Sequence, residues 1–141
     1  MEKFRYIKDL TSDVMFEAFG RTEGELFENA AEALFGVVCK INEIEPKDKI
    51  EFTFEGEDLK DALYEFLNNL LAEAEVAEVF LSKFEVQMES GKSGSYKGKA
   101  AAWGESITQE KGGTVVKAVT YYNFTAEKAK EGFRATVVCD I

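Results

Sequence analysis

The sequence predicts an α+β fold, a single domain over residues 1–141 with about six mostly antiparallel strands packed against two helices. Three observations carry that prediction. Residues 26–38 and 59–71 repeat their apolar positions at intervals of three and four. From Val79 onward the period falls to two and stays there. The last ten residues keep that period, with Phe133, Ala135, Val137 and Cys139 alternating with Arg134, Thr136, Val138 and Asp140, so the sequence finishes inside a sheet.

Taken in order, Phe4–Ile7 is a short strand or an extended lead-in. Asp13–Gly20 places Val14, Phe16 and Ala18 on one face and begins with a carboxylate. Leu10, Thr11 and Ser12 precede it, and the two hydroxyls suit either a turn or the fixing of a carboxylate. Thr22-Glu23-Gly24-Glu25 is a capping box: the Thr22 hydroxyl accepts the N–H of Glu25, whose carboxylate returns to the N–H of Thr22. The helix it opens turns Leu26, Phe27, Ala30, Ala31, Leu34, Phe35 and Val38 toward a sheet, with Glu28, Asn29 and Glu32 between them. Residues 42–48, holding the only proline, form a connector. Ile50, Phe52 and Phe54 then make a strand ended by Gly56. Asp58 caps a second helix with the stripe Leu59, Ala62, Leu63, Phe66, Leu67, Leu70 and Leu71. The acidic run 73–78 is its fraying end or a loop. Phe84, Val86 and Met88 mark a strand, 91–94 a turn, and 96–105 the hairpin partner. Lys111-Gly112-Gly113 separates a further strand, 115–122, from a loop at 123–131 and the final strand. No internal repeat is visible.

The composition narrows the chemistry. Hydrophobic residues make up 45% and aromatics 13%, enough for a real core. The formal net charge is -10, which repels phosphate backbones and favours metal ions and basic protein partners, so no direct binding of nucleic acid is expected. There is no histidine, which removes imidazole bases, Ser-His and Cys-His nucleophiles and His-containing zinc sites together. Cys39 and Cys139 sit among valines and read as buried small hydrophobes, a disulfide between them staying open. No stretch is long and apolar enough for a membrane span, and the N-terminus lacks the apolar run of a signal peptide, so a soluble, cytoplasmic protein is expected.

The final strand holds Asp140 beside the α-carboxylate of Ile141. Two adjacent negative charges made of hard oxygen donors suit Ca²⁺, Mg²⁺ or Mn²⁺, and Asp13, at a strand entrance, is the candidate third ligand. The plain alternative is a solvated polar end. A metal-dependent hydrolase is the rival from another class. Without histidine, its base would be Asp13 or Glu105.

Along nearly its whole length the chain resembles the archease family. The matching pieces are Thr11-x-Asp13-Val14, Thr22-x-x-Glu25, Phe27-x-x-Ala30-Ala31, Leu34-Phe35, Asp58-Leu59, Leu63-Tyr64, Leu67-Asn68, Ala102-Trp103-Gly104-Glu105, Lys117-Ala118-Val119-Thr120-Tyr121 and the terminal Asp140-Ile141. The resemblance implies a small acidic protein, not an enzyme, that activates an RNA-splicing ligase of the RtcB type. That ligase joins RNA ends with GTP and Mn²⁺ through a guanylylated histidine, and the activator promotes guanylylation and turnover. A tRNA methyltransferase or another RNA-modifying enzyme is the alternative client. The implied cofactor is one divalent cation, Ca²⁺ first with Mn²⁺ or Mg²⁺ as alternatives, on Asp13, Asp140 and Ile141, with Thr11, Ser12 and Thr120 orienting those ligands. The chain departs from the family pattern at Leu10, Ser12 and Tyr122, losing two histidines near that site.

Overall fold

A computed structural model describes residues 2–7, 13–90 and 94–141; Leu10, Thr11, Ser12 and residues 91–93 of the expected turn lie outside the described residues. The alternating stretches form β1 (Phe4–Ile7), β2 (Asp13–Gly20), β3 (Asp48–Gly56), β4 (Val79–Ser90), β5 (Tyr96–Ser106), β6 (Ala118–Ala129) and β7 (Gly132–Asp140). The two amphipathic stretches form α1 (Glu23–Val38) and α2 (Leu59–Ala77). The strands build two sheets, in the orders β1-β2-β7-β6 and β3-β5-β4, with every neighbouring pair antiparallel.

Each helix packs on both sheets, α1 on β2 and β7 of the first and β4 of the second, α2 on β3 of the second and β6 of the first. Polar α1 residues that the periodicity assigns to solvent therefore meet strands. Asn29 is 8% exposed and donates to the Phe19 carbonyl at 2.7 Å. Glu28 accepts the N–H of Val86 at 2.9 Å, on the free edge of β4. On the free edge of β6, Asn68 of α2 accepts the N–H of Val119 at 3.0 Å and donates to its carbonyl at 3.1 Å, taking the place of a neighbouring strand. Covering an edge in this way removes a template for aggregation. Between the sheets, Phe27, Phe54 and Phe66 meet with ring centroids 5.1 to 5.5 Å apart. Both cysteines are buried and free.

The connectivity contains a repeat that the sequence conceals. β2, α1, β6 and β7 form a strand-helix-strand-strand unit with sheet order β2-β7-β6; β3, α2, β4 and β5 form another with the same order, β3-β5-β4. The second unit is inserted between α1 and β6 of the first. Each first strand ends on a glycine because the helix turns back against it: a Cβ on Gly20 or Gly56 would lie 2.2 Å from the backbone nitrogen of Leu26 or Ala62. Two residues later Thr22 and Asp58 cap the helices, accepting from Glu25 N–H at 3.1 Å and Asp61 N–H at 2.8 Å. The Glu25 and Asp61 carboxylates reach back to the N–H groups of Arg21 and Glu57, one residue before the cap and not the cap itself.

Of the two expected readings of the acidic run the helix end holds: α2 continues to Ala77 and closes on Glu78 at φ 56. The last long strand-and-loop stretch differs from the sequence expectation. β6 begins at Ala118, not at 115, and runs through the expected loop to Ala129, leaving Lys130 and Glu131 as the turn into β7. The polar residues of this stretch lie on an edge strand open to solvent, where charge is compatible with a strand and imitates a loop. The connection from β5 to β6 runs past the C-terminal end of α1. There the N–H groups of Gly113 and Thr114 satisfy the carbonyls of Val38 and Val37 at 2.9 and 2.8 Å.

Candidate metal centre

The register of β2 on β7 sets Val14, Phe16 and Ala18 opposite Cys139, Val137 and Ala135, the core-facing set, and sets Asp13 opposite Asp140. The two aspartates therefore share the other face of the sheet, with Cβ atoms about 5 Å apart by pairing geometry. On the far side of Asp140 its partner is Ala118, so the row across three strands reads acid, acid, methyl. The N–H of Lys117 donates to the Asp140 carbonyl at 2.8 Å and fixes the strand end. Ile141 follows directly, partly exposed like both aspartates.

Like charges directly opposite one another destabilise a sheet, by about 1 kcal/mol where water screens them. Among the described residues neither carboxylate has a hydrogen bond or an ion pair to relieve this. A cation would. Among the described residues no three His, Cys, Asp or Glu side chains come together to hold a metal. The oxygen donor that adjoins Asp140 in the chain is the carboxylate or carbonyl of Ile141, the third ligand expected from the sequence. The set is all oxygen, since the nearby Cys139 thiol points to the core and is pushed up to about 12, first by burial and then by the charge of Asp13. A thiol held protonated is no metal ligand. Two carboxylates plus a chain-end carboxylate, with positions left for water, fit Ca²⁺, Mg²⁺ or Mn²⁺.

The sequence matches the Archease protein family over residues 4–141. The chain belongs to the archease family. An archease of Pyrococcus abyssi is 39% identical over 134 residues, covering 93% of this chain and 94% of its own. The solution structure of protein 1598 of Methanobacterium thermoautotrophicum matches over the whole of both chains, with 30% identity and a TM-score of 0.87. An archease of Thermotoga maritima, described as a possible chaperone, matches over 97% of each chain with a TM-score of 0.62; at 21% identity that likeness concerns the fold.

In this archease the other expected site residues fall differently. Thr120 lies one row from the acidic pair, opposite Val138, and its hydroxyl donates to the Val138 carbonyl at 3.4 Å. Thr11 and Ser12 lie outside the described residues. Glu105 belongs to β5 of the other sheet, where its carboxylate pairs with Lys111 and accepts the N–H of Glu45 at 2.9 Å. The Lys111 hydrogen bond, with the Glu45 N–H, holds that carboxyl below its ordinary range, which suits a structural tie and not a general base. Clefts of about 480 and 530 Å³ are lined by residues such as Glu55, Tyr96 and Lys97, and Glu23, Asp58 and Phe133, none of them in the acidic row. Sequence reasoning named Asn68 only as part of the family pattern and missed its role. The signal was available, an amide pair, Asn68-Asn69, set within the apolar stripe of α2.

Proposed function

We propose that this archease is a non-catalytic activator of an RNA-joining ligase of the RtcB type, working through one divalent cation held by Asp13, Asp140 and Ile141. The observation that carries the reading is the cross-strand pair of carboxylates, which no cation among the described residues offsets. When bound, the cation supplies a fixed positive charge with coordination positions left open. Asp13 and Asp140 bind it from neighbouring strands. The β2–β7 ladder and the Lys117 N–H hold their spacing, and a net charge of -10 favours encounter with a cationic protein surface. A protein that acts on another protein, not on a small substrate, also accords with the description of the Thermotoga maritima relative as a possible chaperone.

The test is guanylylation of the cognate ligase with GTP and limiting Mn²⁺. The wild-type chain is expected to stimulate it and Asp13→Ala to lose the stimulation. Calorimetry with Ca²⁺ and Mn²⁺ should show at least about tenfold weaker binding for Asp140→Ala, because one of two side-chain ligands is gone. Stimulation that survives Asp13→Ala would keep the partner and discard the metal.

A further inference from the structure

β6 carries an insertion close to the acidic row. The register passes from Thr120 opposite Val138 to Thr125 opposite Thr136, so residues 121–124 stand against Val137 alone. Such bulges commonly re-aim side chains beside functional sites. Within this one Asn123 takes the left-handed conformation at φ 56, and Phe124 turns inward to 1% exposure. The base is firmly held. Tyr64 of α2 meets Tyr121 and Phe124 edge-on at 5.0 and 5.6 Å, and Asn68 binds both backbone groups of Val119 just before the bulge.

What this anchored insertion presents is aromatic. Tyr121 is 50% exposed and Tyr122 76%. Lys60 lies over the Tyr121 ring at 4.4 Å, while Tyr122 has no ring contact, hydrogen bond or ion pair among the described residues. A tyrosine has only two side-chain torsions, so an exposed one on a backbone held by its neighbours costs little entropy to bury against another surface, which is why such residues concentrate at interface hot spots.

Position and charge say what the partner is. Tyr122 follows Ala118, the cross-strand neighbour of Asp140, by four residues on one strand, about 13 Å at the strand rise. A standard interface patch, roughly 30 Å across, spans both. A nucleic acid would bring phosphates against Asp13 and Asp140, and a second copy would bring another chain of net charge -10. We infer that Tyr122, with Tyr121 beside it, is the apolar anchor by which the acidic end docks on a metal-using protein that offers an apolar slot within a cationic rim. The inference rests on the activator reading above and adds the surface through which it works.

The experiment measures binding of the full chain to the RtcB-type ligase, together with Ca²⁺ affinity and thermal midpoint of the chain alone. Tyr122→Ala is expected to weaken ligase binding at least tenfold, with Ca²⁺ affinity and midpoint unchanged, and Tyr122→Phe to keep most of the binding. Wild-type and Tyr122→Ala chains that bind the ligase equally would overturn the anchor and leave the activator reading standing. A wild-type chain that does not bind the ligase would overturn both. If Tyr122→Ala instead abolished binding of a single-stranded RNA oligonucleotide, or self-association in sedimentation, with ligase binding intact, the surface would belong to that occupant and the inference would fall.

Discussion

The two strand-helix-strand-strand units treat one position in opposite ways. Counted back from Gly20 and Gly56, Asp13 corresponds to Lys49; across the sheets Asp140 corresponds to Trp103 and Ala118 to Lys83. The second unit's row is thus lysine, tryptophan, lysine. Both ammonium groups lie over the indole, at 5.5 and 4.7 Å, and Glu51 and Glu85 stand 3.4 and 4.0 Å from them. Its charges are answered from within the chain, by a π face and by carboxylates. Among the described residues the first unit's row has no such answer. One scaffold therefore carries a lysine–tryptophan–lysine row satisfied from within the chain and an acidic row that no described residue satisfies.

Two units that share one core must unfold together, and the largest expected effect tests that. Phe66 of α2 contacts Phe27 of the other unit, so Phe66→Ala should cost about 3–5 kcal/mol and destabilise both sheets together. Trp103 fluorescence and thiol labelling of Cys139, in a Cys39→Ala background, should give one urea midpoint; two midpoints would mean independent units. Next, Gly20→Ala and Gly56→Ala should cost similar amounts, about 1–3 kcal/mol each, because both introduce a Cβ against helix backbone. A much smaller loss at either would break the equivalence of the two strand ends.

Smaller effects separate the rows. Asp140→Asn in chelator-treated protein should raise stability by up to about 1 kcal/mol, because neutralising one partner removes its repulsion with Asp13. Trp103→Leu should lower it by about 0.5–1 kcal/mol, through the lost cation–π contacts. Opposite signs in thermal unfolding would sharpen the contrast, and equal signs would erase it. The finest test concerns the edge cover at Glu28. Burial raises its pKa from 4.5 against the opposing Val86 hydrogen bond, so the native state holds more protons than the unfolded chain above that pH. Its contribution is complete below 4.5 and is lost as pH rises through the raised value. Glu28→Gln keeps an acceptor for Val86, and its stability should decline less than wild type over that window.

Local rules made much of this fold legible. Periods of two and of three-to-four located β2, α1, β3, α2 and β7, and the two caps fell on Thr22 and Asp58. Asp13 and Asp140 could be named because each stands at the end of an alternating run. What stayed hidden depends on distant partners. Division into two sheets follows from pairing between segments far apart, which no window of sequence contains. The repeat was invisible because its halves share little beyond a glycine and a cap, while the packing that relates them tolerates many side chains. Glu28 and Asn29 look like a solvated helix face until β2 and β4 are laid against them. The bulge on β6 escapes the sequence because its first half, residues 121–122, reads as strand and its second half as loop, Asn123 favouring turns and the residues beyond Phe124 being largely polar.

Inserting one unit inside the other has a consequence for the order of folding. β3, α2, β4 and β5 follow one another directly, so their sheet closes through short separations, whereas the first sheet must join β2 to β7 from opposite ends of the chain. Pairings with short separations form sooner. In stopped-flow refolding, Trp103 is expected to reach its native environment before the buried Cys139 thiol of β7 is protected from labelling. The acidic pair exists only once that last seam has closed, and an ion bound there would by mass action hold it shut. If the proposed ion is held there, its occupancy would mark a chain whose first sheet has closed.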